Sequence, residues 1–240
     1  MINKTETTKI IGIGENGVVT LDKISDKVRN TMEIDKIFPN QDVDKDYVRE
    51  LLDGVDVLYL VYDSEDKASL QIVNAIGYMA EERRVLSIGL DTATKENKDN
   101  VNLNREFKLN EDNENEILNL FNIMLEAIGD DCDIAIDITD LKEIVASDKG
   151  LKYTYKEFTL DLKRAEIADK VIESLTCIGD EFTDKKELIM IEASEKITII
   201  ELNEILEPFS YKAQPTCDIL FSYNIKPELN DIIKIGLILN

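Results

Sequence analysis

The sequence predicts an α/β protein with a parallel-sheet lobe, a central helix and a smaller α/β lobe behind it. Three stretches carry that reading. Val57–Tyr62 is a short, continuous apolar run, as expected of a strand covered on both faces. It is followed by a helical stripe (Ile72, Ile76, Ala80, with Val73 and Met79 beside it) and by a second apolar run, Val85–Leu90. Strand, crossover helix and strand make the βαβ unit from which parallel sheets are built. Ile117–Ile128 is apolar nearly all round, which marks a helix buried between two layers. These landmarks divide the chain into 1–110, a connecting helix at 111–130, and 131–240.

The first element is a buried strand over Lys9–Gly14. Val18, Leu21, Ile24 and Val28 then space as one helix face. Gly12, Gly14 and Gly17 thus form G-x-G-x-x-G between a strand and a helix, the context in which that motif gains weight. Glycines there let backbone approach a phosphate, and the helix amino end favours the anion. A tight strand-to-helix turn with nothing bound explains the same glycines, and Glu15 inside the loop favours it.

Phe38–Asp42 reads as a turn. Asp46–Asp53 reads as a short helix with Tyr47, Val48, Leu51 and Leu52 inward, closed by Gly54. Ligands of parallel sheets bind beyond the carboxyl ends of the strands. After Tyr62 that loop holds Asp63, Glu65 and Asp66 and no glycine, so a phosphate would meet carboxylates instead of backbone N–H groups. Asp91–Asn104 is a polar loop.

In the second half, Leu141, Ile144 and Val145 share a helix face, with Thr139 or Asp140 as the cap. Leu151–Leu162 alternates as strands do. Arg164–Leu175 is amphipathic. Leu188–Ile191 is a strand, and Ile199–Leu206 a helix stopped before Pro208. Ile219–Tyr223 and Ile232–Leu239 are the last two strands, joined across 224–231.

Composition narrows function. The net charge is −22, from 50 acids against 28 bases. Such a field repels nucleic acid and anionic membrane surfaces, so neither is an expected partner. Cys132, Cys177 and Cys217 are sparse and odd in number, as for reduced thiols in a cytoplasm. The absence of histidine removes the commonest general base and metal ligand, and no metal site is expected. No apolar run reaches membrane-span length, and Met1–Lys9 lacks the apolar core of a signal peptide.

The order of these pieces resembles the FtsZ and tubulin superfamily over nearly the whole chain. Ile11–Gly17 resembles that family's first glycine loop, and Asp53–Leu60 the approach to its phosphate loop. Ile136–Lys142 is similar to the loop that reaches a neighbouring subunit's nucleotide, and Arg164-Ala165-Glu166 to the opening of a later helix. Ser222 through Asp231 and the final strand resemble the C-terminal hairpin. The resemblance implies a Rossmann-like first lobe, a GTP site with magnesium, and head-to-tail filaments.

The departures cluster in that site. The family's run of glycines and threonines is replaced by Glu65-Asp66-Lys67-Ala68-Ser69-Leu70-Gln71. The first loop carries Glu15 and Val19 where the family prefers glycine and a polar residue. Glu111 and Asn115 stand in place of a base-stacking aromatic and a guanine-reading carboxylate. An amide cradle needs glycine for its geometry, and carboxylates repel a triphosphate. Asp137 and Asp140 sit where the family places carboxylates that position water, with Ala135 in place of its asparagine. As structural residues, Asp140 would be a helix cap and Asp137 a solvated turn acid. The family's terminal tail, which relatives use to bind membrane-anchoring partners, is expected to be missing after Asn240.

The expectation is a cytoplasmic, FtsZ-like protein with a degenerate GTP site, formed by the remnant Gly12, Gly14 and Gly17 and the altered loop Asp63, Glu65, Asp66 and Ser69. It would be a non-enzymatic cell-division or cytoskeletal factor acting through protein partners or self-association, with no cofactor. The alternatives are a filament-forming GTPase that binds GTP and magnesium in an altered pocket, and a binder of a non-phosphorylated small molecule.

Overall fold

The computed structural model describes residues 7–95, 97, 100–146, 150–178, 186–212 and 218–240. The chain forms two compact units that divide between Glu114 and Asn115.

The first unit is a five-stranded parallel sheet in the order β2-β1-β3-β4-β5. Its elements in sequence are β1 (Thr7–Ile13), α1 (Gly14–Ile24), β2 (Glu33–Ile37), α2 (Lys45–Leu51), β3 (Val55–Tyr62), α3 (Lys67–Glu82), β4 (Leu86–Asp91) and β5 (Arg105–Lys108). β3 lies at the centre. Val57 through Tyr62 are each 0% exposed, which accounts for the unbroken apolar run. Val73, Ile76 and Ala80 of α3 join Ile11, Leu58 and Leu60 in one core cluster. The turn into β3 is made by Gly54 at φ +72°, a left-handed position suited to glycine.

The second unit comprises α4 (Glu114–Ile128), α5 (Ile138–Ala146), β6 (Leu151–Thr159), α6 (Arg164–Glu173), β7 (Thr176–Ile178), β8 (Lys186–Ala193), α7 (Ile199–Lys212), β9 (Asp218–Ile225) and β10 (Ile232–Leu239). Its sheet runs β7-β6-β10-β8-β9, with only β8 and β9 parallel. Both faces of this sheet are covered. Ile189, Ile191, Ile235 and Leu237 pack with Ile167 and Val171 of α6 and Ile205 and Phe209 of α7. On the other face a Cβ at Gly236 would meet Ile123 Cγ2 at 2.8 Å and Leu120 Cδ1 at 3.3 Å, so α4 lies directly on β10.

Polar contacts fix α4 at both ends. Near its start the Glu116 carboxylate accepts from Thr154 Oγ1 (2.9 Å), Lys156 Nζ (3.1 Å) and the Tyr155 N–H (3.3 Å). Near its end Glu126 accepts from Lys226 Nζ (2.9 Å) and Asn224 Nδ2 (3.0 Å).

Several sequence expectations change. Val28 leaves the first helix: α1 stops at Ile24, a 3-10 turn covers Ser25–Lys27, and Val28 is extended. α7 continues through Pro208 to Lys212. Proline in a helix interior removes one backbone hydrogen bond. The buried side chains of Ile205 and Phe209 flank it and hold the last turns on the sheet. The start of α7 is a capping box: Glu201 Oε2 accepts the Thr198 N–H at 3.0 Å, and Thr198 Oγ1 accepts the Glu201 N–H at 3.3 Å. β9 and β10 are not a hairpin. β8 lies between them, hydrogen bonded to both. The strands β2, β5 and β7 add to those expected, and all three stand at sheet edges.

Candidate functional site

In a sheet ordered β2-β1-β3-β4-β5 the chain leaves β1 toward one edge and resumes at β3 on the other side. The loops after β1 and β3 therefore diverge and leave a crevice at the carboxyl end of the sheet. A cavity of about 290 Å³ opens there, lined by Glu15, Asn16, Pro39, Asp63, Asp66 and Ser69. Of the residues the sequence singled out, Asp63, Asp66 and Ser69 line this opening, and Gly14 packs behind it against Ser69 and Asp66.

The glycine side of the crevice is tight. Gly14 has φ +73°, and a Cβ there would lie 2.0 Å from Ser69 Oγ and 3.2 Å from Asp66 Oδ2. A Cβ on Gly17 would lie 2.3 Å from the Val61 carbonyl oxygen. One on Gly12 would meet Val18 Cα at 2.9 Å. The three glycines allow α1 to sit against β1, β3 and the start of α3. The residue before α1 is Ile13, so no side chain caps its amino end.

The acidic side is a closed set of short hydrogen bonds. Asp63 Oδ1 accepts the Glu65 N–H (2.9 Å), and the Asp63 carbonyl accepts the Asp66 N–H (3.1 Å). Asp63 Oδ2 accepts from Asn16 Nδ2 (2.7 Å), which joins this loop to α1. Asp66 is the N-cap of α3. Its Oδ1 accepts the Ala68 N–H (3.1 Å) and its Oδ2 the Ser69 hydroxyl (2.5 Å).

Behind this lies Asp91, fully buried at the end of β4. Its Oδ1 accepts the N–H groups of Ser64 (2.9 Å) and Ala93 (3.0 Å). Its Oδ2 accepts from the Ser64 hydroxyl and Lys108 Nζ, each at 2.7 Å. Lys108 also donates to the Lys95 carbonyl at 2.6 Å.

Glu65 turns to the loop after β4. It accepts from Lys95 Nζ (2.8 Å), the Thr94 hydroxyl (3.0 Å) and the Thr94 N–H (3.2 Å). Hydrogen bonds from Lys95 and Thr94 hold its carboxyl down at about 2, and the same contact raises the Lys95 ammonium. Tyr62, at the end of β3, donates to Glu106 of β5. Burial and that acid raise the tyrosine, and burial raises Glu106.

Asn16, Asp91, Thr94, Lys95 and Lys108 were not foreseen. The usable signal for Asp91 was a lone acid closing an apolar strand that ends beside the site. Glu111 is not among the residues that line this cavity. Among the described residues no group of three or more His, Cys, Asp or Glu side chains could hold a metal ion.

Asp137 and Asp140 belong to the second unit. The helix they introduce starts at Ile138, and its cap is neither Thr139 nor Asp140. Asp137 holds that position: its carbonyl accepts the Leu141 N–H (3.2 Å) and its Oδ1 accepts the Thr139 N–H (2.6 Å). That backbone contact lowers its carboxyl. Asp140 stands in the first turn, where an acid favours the helix dipole.

A parallel β2-β1-β3-β4-β5 unit followed by a helix-covered mixed sheet defines the fold of the FtsZ and tubulin superfamily, and the chain has that fold. It matches an empty FtsZ dimer from M. jannaschii with a TM-score of 0.70 at 13% identity, covering 99% of this chain and 89% of that one. A W319Y mutant of FtsZ from the same organism gives 0.69 at 12% identity, with 98% and 91% covered. CetZ1 from Haloferax volcanii, a GDP-bound monomer, gives 0.61 at 11% identity, with 97% and 93% covered. No family model matches the sequence, and no curated protein matches it significantly. No helix among the described residues is long and apolar enough to cross a membrane.

Proposed function

We propose that this chain is a non-enzymatic, FtsZ-like cell-division or cytoskeletal factor with a degenerate GTP site, acting through protein partners or self-association. One observation carries the reading. The N–H groups of Ser64, Glu65, Asp66 and Ala68, where the family resemblance places a phosphate loop, all bind acceptors of the chain itself. A phosphate recognised by backbone amides needs those donors. It would also approach Asp63 and Asp66, whose charges oppose it. On this reading the protein is cytoplasmic, Asp137 and Asp140 are vestiges of a subunit-reaching loop, and no cofactor is used.

The experiment is calorimetric titration of GTP and magnesium into micromolar protein, with light scattering in parallel. The expected result is no saturable isotherm and no GTP-dependent polymer. The second reading, a GTPase with an altered pocket, draws on the uncapped amino end of α1 beside the cavity and on the GDP bound to CetZ1. A saturable isotherm together with filaments that form only with GTP would establish it instead.

A further inference from the structure

We propose that the groove between α2 and α3 binds a small organic cation, an apolar body that carries one ammonium group. The groove shares no lining residue with the strand-end cavity. The proposal therefore goes beyond the nucleotide reading and does not depend on it.

α3 carries two apolar rows. Val73, Ile76 and Ala80 are buried in the core cluster with Ile11, Leu58 and Leu60 of the sheet. Ile72, Ala75 and Met79 form the second row, at spacings of three and four that put them on one side of the helix. Ala75 and Met79 of that row meet Val43 and Val48 across the groove. Arg83, at the end of α3, donates to the Arg49 carbonyl of α2 at 2.9 Å and ties the two helices together. The cavity between them is about 320 Å³, within the range of small-ligand sites. Its four apolar residues offer a ligand no side-chain hydrogen bond, so they suit an apolar body. Tyr78, 54% exposed, adds an aromatic ring at the mouth.

The charged lining sets the sign of the ligand. Asp44 and Glu82 are its acids, and Lys45 is its one base. Glu82 lies one helical turn beyond Tyr78 and takes the hydrogen bond of the Tyr78 hydroxyl, which raises the phenol. A carboxylate and an aromatic face thus stand side by side, and an ammonium group is attracted by both. Asp44 is fixed on the other wall, where its Oδ1 caps α2 by accepting the Tyr47 N–H at 2.8 Å. An anion would meet both carboxylates and the field of a chain at −22.

The test is an NMR titration of the full chain with phenethylammonium, in about 150 mM salt so that the diffuse field is screened beyond about 8 Å. Amide shifts at Ala75, Tyr78, Met79 and Glu82 should saturate at millimolar concentration. Phenethyl alcohol keeps the ring without the charge and should bind at least threefold more weakly. Ethylammonium keeps the charge without the ring and should bind at least fivefold more weakly. Phenylacetate reverses the charge and should give no saturable shift at these amides. Glu82→Gln keeps an acceptor for Tyr78 and should weaken phenethylammonium at least threefold while leaving phenethyl alcohol unchanged. Ala75→Leu, at an exposed helix position, fills the cavity and should weaken both ring probes at least fivefold. Asp130→Asn removes an exposed acid of the second unit and should change neither. The absence of a saturable shift at the groove would overturn the proposal, as would equal affinity for the ammonium and the alcohol. An equal loss in Asp130→Asn would overturn it too, since overall charge would then explain the preference. Undiminished binding by Ala75→Leu would place the probe elsewhere and overturn it as well. Should Ala75→Leu perturb the fold by circular dichroism, Tyr78→Leu removes the aromatic face at an exposed position. A loss of at least threefold for phenethylammonium is expected there, and no loss would overturn the proposal.

Discussion

Between β1 and α1 the chain turns on glycines; between β3 and α3 it turns on carboxylates. Both turns face one cavity. The glycine turn works by removing atoms, so that backbone can touch backbone: Gly17 lies against the Val61 carbonyl and Gly14 against Ser69. The carboxylate turn works by adding acceptors, so that the amides of Ser64, Glu65, Asp66 and Ala68 find one within the chain. The difference bears on how a glycine fingerprint is read. A G-x-G-x-x-G pattern is consistent with a phosphate cradle, and here each of its glycines already has a close protein neighbour.

The largest effect should come from the glycine turn. The group facing Gly17 is backbone and cannot rotate away, so a Gly17→Ala methyl must displace α1 from β3. Overpacking of that kind is expected to cost about 3 kcal/mol in urea denaturation. Gly54→Ala is the reference, because nothing lies within 4 Å of its Cβ position. It carries only the left-handed strain of φ +72°, about 1–2 kcal/mol. If the two variants lost equal stability, close packing would not be the reason for Gly17.

A smaller effect should come from the acidic turn. Asp66→Ala removes the cap of α3 and the partner of the Ser69 hydroxyl. A loss of about 1 kcal/mol is expected, with Asp66→Asn retaining most of it. A neutral Asp66→Ala would mean that this carboxylate is not holding the loop.

The contrast also marks what the sequence could and could not reveal. The buried centre was legible because burial on both faces leaves an unbroken apolar run at Val57–Tyr62, and burial on most sides leaves the helix over Ile117–Ile128 apolar except at Asn119, Asn122 and Glu126. The edge strands β2, β5 and β7 were not. Glu33–Ile37 and Arg105–Lys108 are short and half-polar, since one side of each has no strand neighbour in its sheet. Pro208 misled because a local rule was overridden by the burial of Phe209. The position of β8 between β9 and β10 depends on long-range pairing that no local pattern encodes. Within the site, the glycines and the acids after Tyr62 stood out by type and place. Asp91, Thr94 and Lys95 lie 27 to 30 positions from the loop residues they bind, and Lys108 lies 17 from Asp91, so only the fold identifies them.

The most local prediction concerns the clasp on Glu65. Its carboxyl lies at about 2 in the folded chain against an ordinary 4.5, mainly through the Lys95 and Thr94 hydrogen bonds. A depressed acid contributes stability that is fully present above the ordinary value and is lost as pH falls through the folded one. The clasp should therefore be intact at neutral pH and weaken between about 4.5 and 2. Two NMR readouts check this: the side-chain carboxyl shift of Glu65, and hydrogen exchange at the Thr94 amide. The Glu65 midpoint should lie near 2, and Thr94 protection should fall over the same range. Amides at the centre of β3 serve as the internal reference, because the protonation of many other acids weakens the whole fold in this range. Loss of Thr94 protection ahead of those amides, abolished by Glu65→Gln, would isolate the clasp. A Glu65 midpoint near 4.5 would show that Lys95 does not hold the carboxylate in solution, and the acidic turn would then be tethered through Asp91 and Asn16.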